Sequence, residues 1–136
     1  MDGWAVSESL ETGFVEEAFR RGQVRRGGAV SPPVHSDRGS QYASTTFRER
    51  LSAWGCRQSM SRKGDCWDNA VTESFFGNLK SEMAHHERFR TRREARNKLC
   101  DYIEVFYNRS RIHSANDYFA PAEYEARYRA QAKEAA

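Results

Sequence analysis

The chain has 136 residues, of which 38% are hydrophobic and 30% charged, with a formal net charge of +3. That length holds one small domain at most, and a Leu, Ile, Val and Phe share of about 15% marks a thin core. The low net charge excludes a simple charged disordered chain, and no segment approaches the roughly 20 apolar residues of a membrane helix.

Trp4 to Ser7 is a short apolar piece, read as a strand stub. Ser9 to Arg21 places Leu10, Phe14, Val15 and Phe19 at helical spacing, with acids early and Arg20-Arg21 late, an order that suits the helix dipole. Gly22, Gly27 and Gly28 break that helix. Ala29 to Ser36 reads as a strand weakened by Pro32-Pro33, and Arg38-Gly39-Ser40 as a turn. Thr45 to Trp54 is a second helix with Phe47, Leu51 and Trp54 on one side and Gly55 as its stop. Cys56 to Ser61 is a short strand, and Arg62 to Asp68 a polar loop.

The next helix carries Glu73. With Glu73 at zero and 100° per residue, Val71, Thr72, Phe75, Phe76, Leu79 and Met83 fall on an arc of about 160° to 300°. Lys80 lies about 20° from Glu73 and roughly 10 Å along the axis, and Asn69 about 40° away. Glu73 and Lys80 thus share a stripe beside the apolar face. Thirty-five residues separate Asp37, at a strand end, from Glu73. One carboxylate on a strand tip and one on a helix can share divalent metal ions and cut or join phosphodiesters. A lone Glu and Lys are more often surface decoration, so the pair carries weight through the company it keeps.

Thr91-Arg92-Arg93-Glu94 is a capping box. It opens a long helix with Ala95, Leu99, Tyr102, Ile103, Phe106 and Tyr107 as core positions. Asn108 to Ala115 is basic and irregular, and Pro121 starts a last short helix that trails into an Ala-rich charged end. The predicted organisation is a core over 1–125 and a tail over 126–136. Residues 74–136 hold 12 Lys or Arg against 9 Asp or Glu, whereas residues 1–73 hold 10 of each. A basic face suits nucleic acid, although from charge alone a solvated helix face is the commoner explanation. Cys56, Cys66 and Cys100 form no CxxC pair, the mark of reduced intracellular thiols. No signal peptide is visible, so the cytoplasm is the expected location.

Several separated words resemble one family. They are His35-Ser36-Asp37-Arg38-Gly39-Ser40-Gln41-Tyr42, then Gly64-Asp65-Cys66-Trp67-Asp68-Asn69-Ala70, then Glu73-Ser74-Phe75-Phe76 with Leu79-Lys80-Ser81-Glu82. Phe106-Tyr107-Asn108, Arg111, His113-Ser114 and Pro121-Ala122-Glu123-Tyr124 follow in order. Together they resemble the catalytic core of bacterial insertion-sequence transposases related to retroviral integrases, from about Trp4 to Glu125. The resemblance implies an α/β, ribonuclease-H-like fold, a mixed sheet flanked by helices, with an Asp-Asp-Glu triad. Asp37 matches the second Asp and Glu73 the Glu. Lys80 matches a basic position expected to approach transposon-end DNA, Asn69 orders the loop beside the site, and Arg111 and His113 match positions grouped with the DNA-binding residues.

That chemistry needs hard oxygen ligands for Mg2+ or Mn2+, two ions in a complete enzyme. The expected partners are DNA, both transposon ends and target, and further copies of the chain, with no membrane. Two departures stand out. The family's first Asp belongs on an upstream strand, and Asp2, just before Trp4 to Ser7, is a poor substitute, so the fold is expected to be incomplete at the N-terminus and the chain inactive alone. Asn116-Asp117 replaces the usual Leu-Gly before Tyr118. The alternative function is a non-catalytic remnant that binds DNA or full-length transposase subunits.

Overall fold

A computed structural model of the chain describes residues 1–8, 11–28, 31–61 and 70–135. These residues form two compact units, one of residues 2–78 and the other of residues 79–136 with Met1. The element order mixes helices with a small parallel sheet.

In the first unit, α1 spans Thr12–Arg25, β1 Pro33–Ser36, α2 Ser40–Ala43, α3 Thr45–Ala53 and β2 Arg57–Met60. β1 and β2 pair in parallel, Pro33 opposite Arg57 and Ser36 opposite Met60. Parallel strands need a crossover, and α2 with α3 supplies it. Pro33 is tolerated because it is the first residue of its strand. Val15, Phe47, Leu51 and Cys56 form the buried core, with Phe14, Phe19, Val34, Tyr42 and Trp54 packed around them. Phe19 stacks on Trp54 at 5.0 Å, and Tyr42 meets Phe47 edge-on at 5.9 Å. Aromatic rings here supply bulk that a low aliphatic content does not.

Local chemistry fixes the helix ends. Ser44 caps α3 by accepting from the Phe47 amide at 3.2 Å. At the other end Gly55 adopts φ +69. The Gly55 amide bonds to the Ser52 carbonyl and the Cys56 amide to the Leu51 carbonyl, both at 2.9 Å, which is a Schellman closure. It turns the chain directly into β2 and buries Cys56.

The Trp4 to Ser7 piece is not a strand. It lies along α1, where Gly3 approaches so closely that a Cβ there would fall 2.1 Å from the Ala18 carbonyl oxygen. The Trp4 carbonyl takes a hydrogen bond from Arg21 Nη1 at 3.3 Å. Its backbone is therefore engaged by a helix rather than by a strand. The described sheet has two strands, narrower than the expected mixed sheet.

α4 spans Ala70–Glu82 and passes from one unit into the other. Phe75 and Met83 are buried and Leu79 is half-buried, a stripe at i, i+4 and i+8. Val71 and Phe76, expected on the same apolar face, are 87% and 50% exposed. In the second unit α5 spans Arg92–Cys100 and α6 Pro121–Glu134. Thr91 caps α5, its Oγ1 accepting from the Glu94 amide at 3.1 Å. Glu94 reaches back to the Arg90 amide at 2.8 Å, one residue beyond the usual capping-box target. Beyond α5 the backbone continues as a π-helix over Asp101–Tyr107, a feature absent from the expectation. α6 runs through the stretch read as a tail, because alanines with Glu123–Arg127 and Glu125–Arg129 pairs favour helix.

Candidate functional site

Asp37 follows β1 directly and is exposed. Its position is set by the crossover loop. The buried Ser36 hydroxyl donates to the Asp37 carbonyl at 3.0 Å, and Arg38 Nε donates to the Ser61 carbonyl at 3.0 Å, tying the loop to the end of β2. The Ser61 amide bonds to the Ser36 carbonyl at 2.9 Å. Asp37 Oδ1 accepts from the Gly39 amide at 2.8 Å, an Asx turn. A Cβ on Gly39 would lie 2.9 Å from that same oxygen, so a larger residue there would make the Asp37 carboxylate shift. The second oxygen, Oδ2, has no protein partner among the described residues. Beside it, burial and then the Asp37 charge push the Tyr42 phenol up. His35 is held by hydroxyls, Nδ1 3.0 Å from Ser59 Oγ and Nε2 3.3 Å from Ser61 Oγ.

Glu73 stands in the first turn of α4, and Lys80 in its last turn. Both are exposed, and neither has a hydrogen-bond or ion-pair partner among the described residues. Asp37 and Glu73 belong to the same compact unit, and Lys80 to the other. Asn69 and Cys66 lie outside the described residues. Among the described residues no group of three or more His, Cys, Asp or Glu side chains is arranged to hold a metal ion. The carboxylate oxygens of Asp37 and Glu73 are hard donors of the kind that suits Mg2+ or Mn2+. Cys56 is a free buried thiol and Cys100 a free exposed one.

Arg111 and His113 belong to a second cluster, inside the unit of residues 79–136, which sequence reasoning did not assemble. Arg111 grips Glu82 with Nε at 2.9 and 3.0 Å from the two carboxylate oxygens and Nη2 at 2.8 Å from Oε1. Tyr102 donates its hydroxyl to Glu82 Oε2 at 2.8 Å. Arg111 Nη1 lies 3.2 Å from His113 Nδ1. A guanidinium only donates, so Nδ1 accepts and the neutral ring carries its proton on Nε2. That Nε2 is buried, with no hydrogen-bond partner among the described residues. Tyr107 completes the cluster, its ring edge-on to His113 at 4.8 Å and 5.8 Å from the Arg111 guanidinium carbon.

The titration behaviour follows. Hydrogen bonds from Arg111 hold the Glu82 carboxyl below its ordinary range, against a smaller opposing effect of burial. Burial, with the bond to Glu82 second, pushes the Tyr102 phenol up. Burial, then the Arg111 charge, lowers His113. The π-helix explains how two tyrosines serve one cluster. In an α-helix residues five apart point about 140° apart. Bonds from i to i+5 return them to nearly one face, and the Tyr102 and Tyr107 rings lie 6.2 Å apart. Asn108 is likewise a structural residue, 2% exposed, with Nδ2 donating to the Met1 carbonyl at 2.9 Å. Glu82 and Asn108 stood within the family words quoted above, and that was the signal available for them.

An integrase core domain model matches residues 1–66, and a second integrase core domain model matches residues 73–128. The transposase for insertion sequence element IS904 of Lactococcus lactis is 38% identical over 123 residues, covering 90% of this chain and 49% of that protein. Transposase InsF for insertion sequence IS3A of Escherichia coli is 39% identical over 123 residues, covering 90% and 43%. An uncharacterized 31 kDa protein of insertion element IS600 from Shigella sonnei is 49% identical over 94 residues, covering 69% and 35%. No solved structure matches. The chain belongs to the integrase-core family of insertion-sequence transposases. It spans about half the length, or less, of these curated relatives.

Proposed function

We propose that the chain serves DNA transposition as part of a ribonuclease-H-like catalytic core that cuts and joins DNA strands with divalent metal. Asp37 and Glu73 are the two metal-binding carboxylates, and Lys80 and Asn69 face transposon-end DNA. The observation that carries this reading is the availability of the charged groups at the family positions. Glu73, Lys80 and Asp37 Oδ2 are exposed and unpartnered among the described residues, whereas Glu17, Glu82, Glu123 and Glu125 are each tied to an arginine. Bound Mg2+ or Mn2+ would activate the attacking oxygen and stabilise the leaving one.

The chain's own residues have narrower tasks. Asp37, fixed by its bond to Gly39, presents one free oxygen at a constant place beside β1. Glu73 lies in the first turn of α4, where the dipole favours its charged form. Arg111 commits Nε–H, one Nη1–H and one Nη2–H internally and keeps the other two of a guanidinium's five donors for a phosphate. His113 supports it in that role.

The chain by itself is expected to bind metal and DNA without joining strands. The test is incubation with labelled transposon-end DNA and Mg2+ or Mn2+. The expected result is binding without strand joining, with Lys80→Ala lowering the salt dependence of binding. Robust joining that Glu73→Gln abolishes would overturn the inactivity of the lone chain. A salt titration unchanged by Lys80→Ala would overturn the role of Lys80.

A further inference from the structure

Residues 87–98 hold six cations and two carboxylates, a local excess larger than the net charge of the whole chain. Arg88, Arg90, Arg92, Arg93 and Arg96 are all exposed. The contrast with α1 and α6 is what gives this meaning. In α1, Glu17 pairs with Arg20 and Arg21. In α6, Arg127 pairs with Glu123 and Arg129 with Glu125, each four residues on. α5 breaks that habit. Lys98 is held by Glu87 at 2.9 Å, but the guanidinium groups of Arg88, Arg90, Arg93 and Arg96 have no carboxylate partner among the described residues.

The nearby carboxylate that could have served them is used otherwise, because Glu94 Oε2 accepts from the Arg90 backbone amide. Arg92 and Arg96 stand four residues apart, a like-charge spacing that disfavours a helix, and Arg92 and Arg93 occupy the first turn, the end where the dipole disfavours cations. The Thr91 hydroxyl already takes the Glu94 amide. Arg93 and Arg96 on α5, with Arg88 and Arg90 just before it, are therefore side-chain cations without a carboxylate partner among the described residues, on a helix that gains nothing from them in isolation. Such a surface is stabilised by an extended polyanion, and guanidinium forks match phosphodiester oxygens.

We infer that the Arg88–Arg96 face is a second DNA-backbone contact, separate from the Asp37, Glu73 and Lys80 positions. It rests on the reading that DNA is the partner. It reads no sequence; it adds affinity and fixes how the duplex lies on the unit of residues 79–136.

The test compares two double variants of the full chain that change net charge equally. Arg93→Gln with Arg96→Gln removes unpaired cations, and Arg127→Gln with Arg129→Gln removes paired ones. Affinity for duplex DNA is measured by fluorescence anisotropy across salt concentrations, and folding is checked by circular dichroism. The α5 variant is expected to lower the slope of log affinity against log salt by about 1.8, at about 0.9 per phosphate contact. The α6 variant is expected to leave it unchanged. An unchanged slope in the α5 variant, or an equal drop in both variants, overturns the inference, as does absence of DNA binding by the parent chain. If Lys80→Ala lowers the slope and the α5 variant does not, this inference fails and the proposed function stands. If the α5 variant lowers it and Lys80→Ala does not, the role of Lys80 fails and the α5 surface stands.

Discussion

Arg111→Met removes the centre of the Glu82 cluster while keeping a long apolar stem. The pair is neither a surface decoration nor a sealed ion pair, with Arg111 and Glu82 side chains 21% and 31% exposed. Exposed pairs contribute about 0–1 kcal/mol, and breaking a buried pair costs about 3–5 kcal/mol. Here Glu82 keeps its bond from Tyr102 and gains some water. His113 Nδ1 loses its donor. The expected cost is about 2 kcal/mol, between those limits. Amide exchange over the π-helical residues reports it locally, and protection there should fall about 30-fold. Arg129→Met is the control, since the Arg129 side chain is 60% exposed in its pair with Glu125 on α6, and about 0.3–0.5 kcal/mol is expected. If Arg111→Met accelerates exchange no more than Arg129→Met does, the cluster is not a structural clamp and the reasoning from its geometry is wrong.

Glu82 also sets a pH dependence. Its folded pKa is depressed by Arg111, so its contribution is fully present above the unfolded carboxyl pKa and is lost as pH falls through the lower folded value. Acid titration of stability should therefore lose part of its acid limb in Arg111→Met. Asp117 has φ +53, a left-handed conformation that glycine adopts without steric cost, so Asp117→Gly should raise stability by about 0.5–1 kcal/mol in thermal melts. Leu51 is 1% exposed at the centre of the first unit, and Leu51→Ala should cost about 2–5 kcal/mol in urea unfolding. Ser44→Ala removes the α3 cap and should cost about 1 kcal/mol in the same assay.

What could be read from the chain followed local chemistry. Gly55 ended α3, Thr91 and Glu94 opened α5, and Pro121 opened α6, because caps and breakers act through neighbouring backbone groups. What could not be read depended on distance or on alternatives of equal pattern. Tyr102 and Tyr107 suit an α-helical or a π-helical reading of the same apolar spacing, and the choice is made by the cluster they serve. Arg111 and Glu82 are 29 residues apart, so their bond has no local signature. Val71 and Phe76 had the pattern of a core face, yet periodicity states what can be buried and not what covers it. The same logic placed Trp4 to Ser7 in a strand, whereas the close approach at Gly3 lays it on α1. Asp37 and Glu73 were legible as candidates from their spacing and setting, and the structure adds the loop bonds that hold Asp37 in place.

The central claim is that Asp37 and Glu73 grip a common cation, and Mn2+ titration followed by electron paramagnetic resonance tests it most directly. The parent chain should bind Mn2+, and Asp37→Asn and Glu73→Gln should each weaken binding by more than tenfold while leaving the folded spectrum intact. Full retention of Mn2+ affinity in either variant would contradict the account.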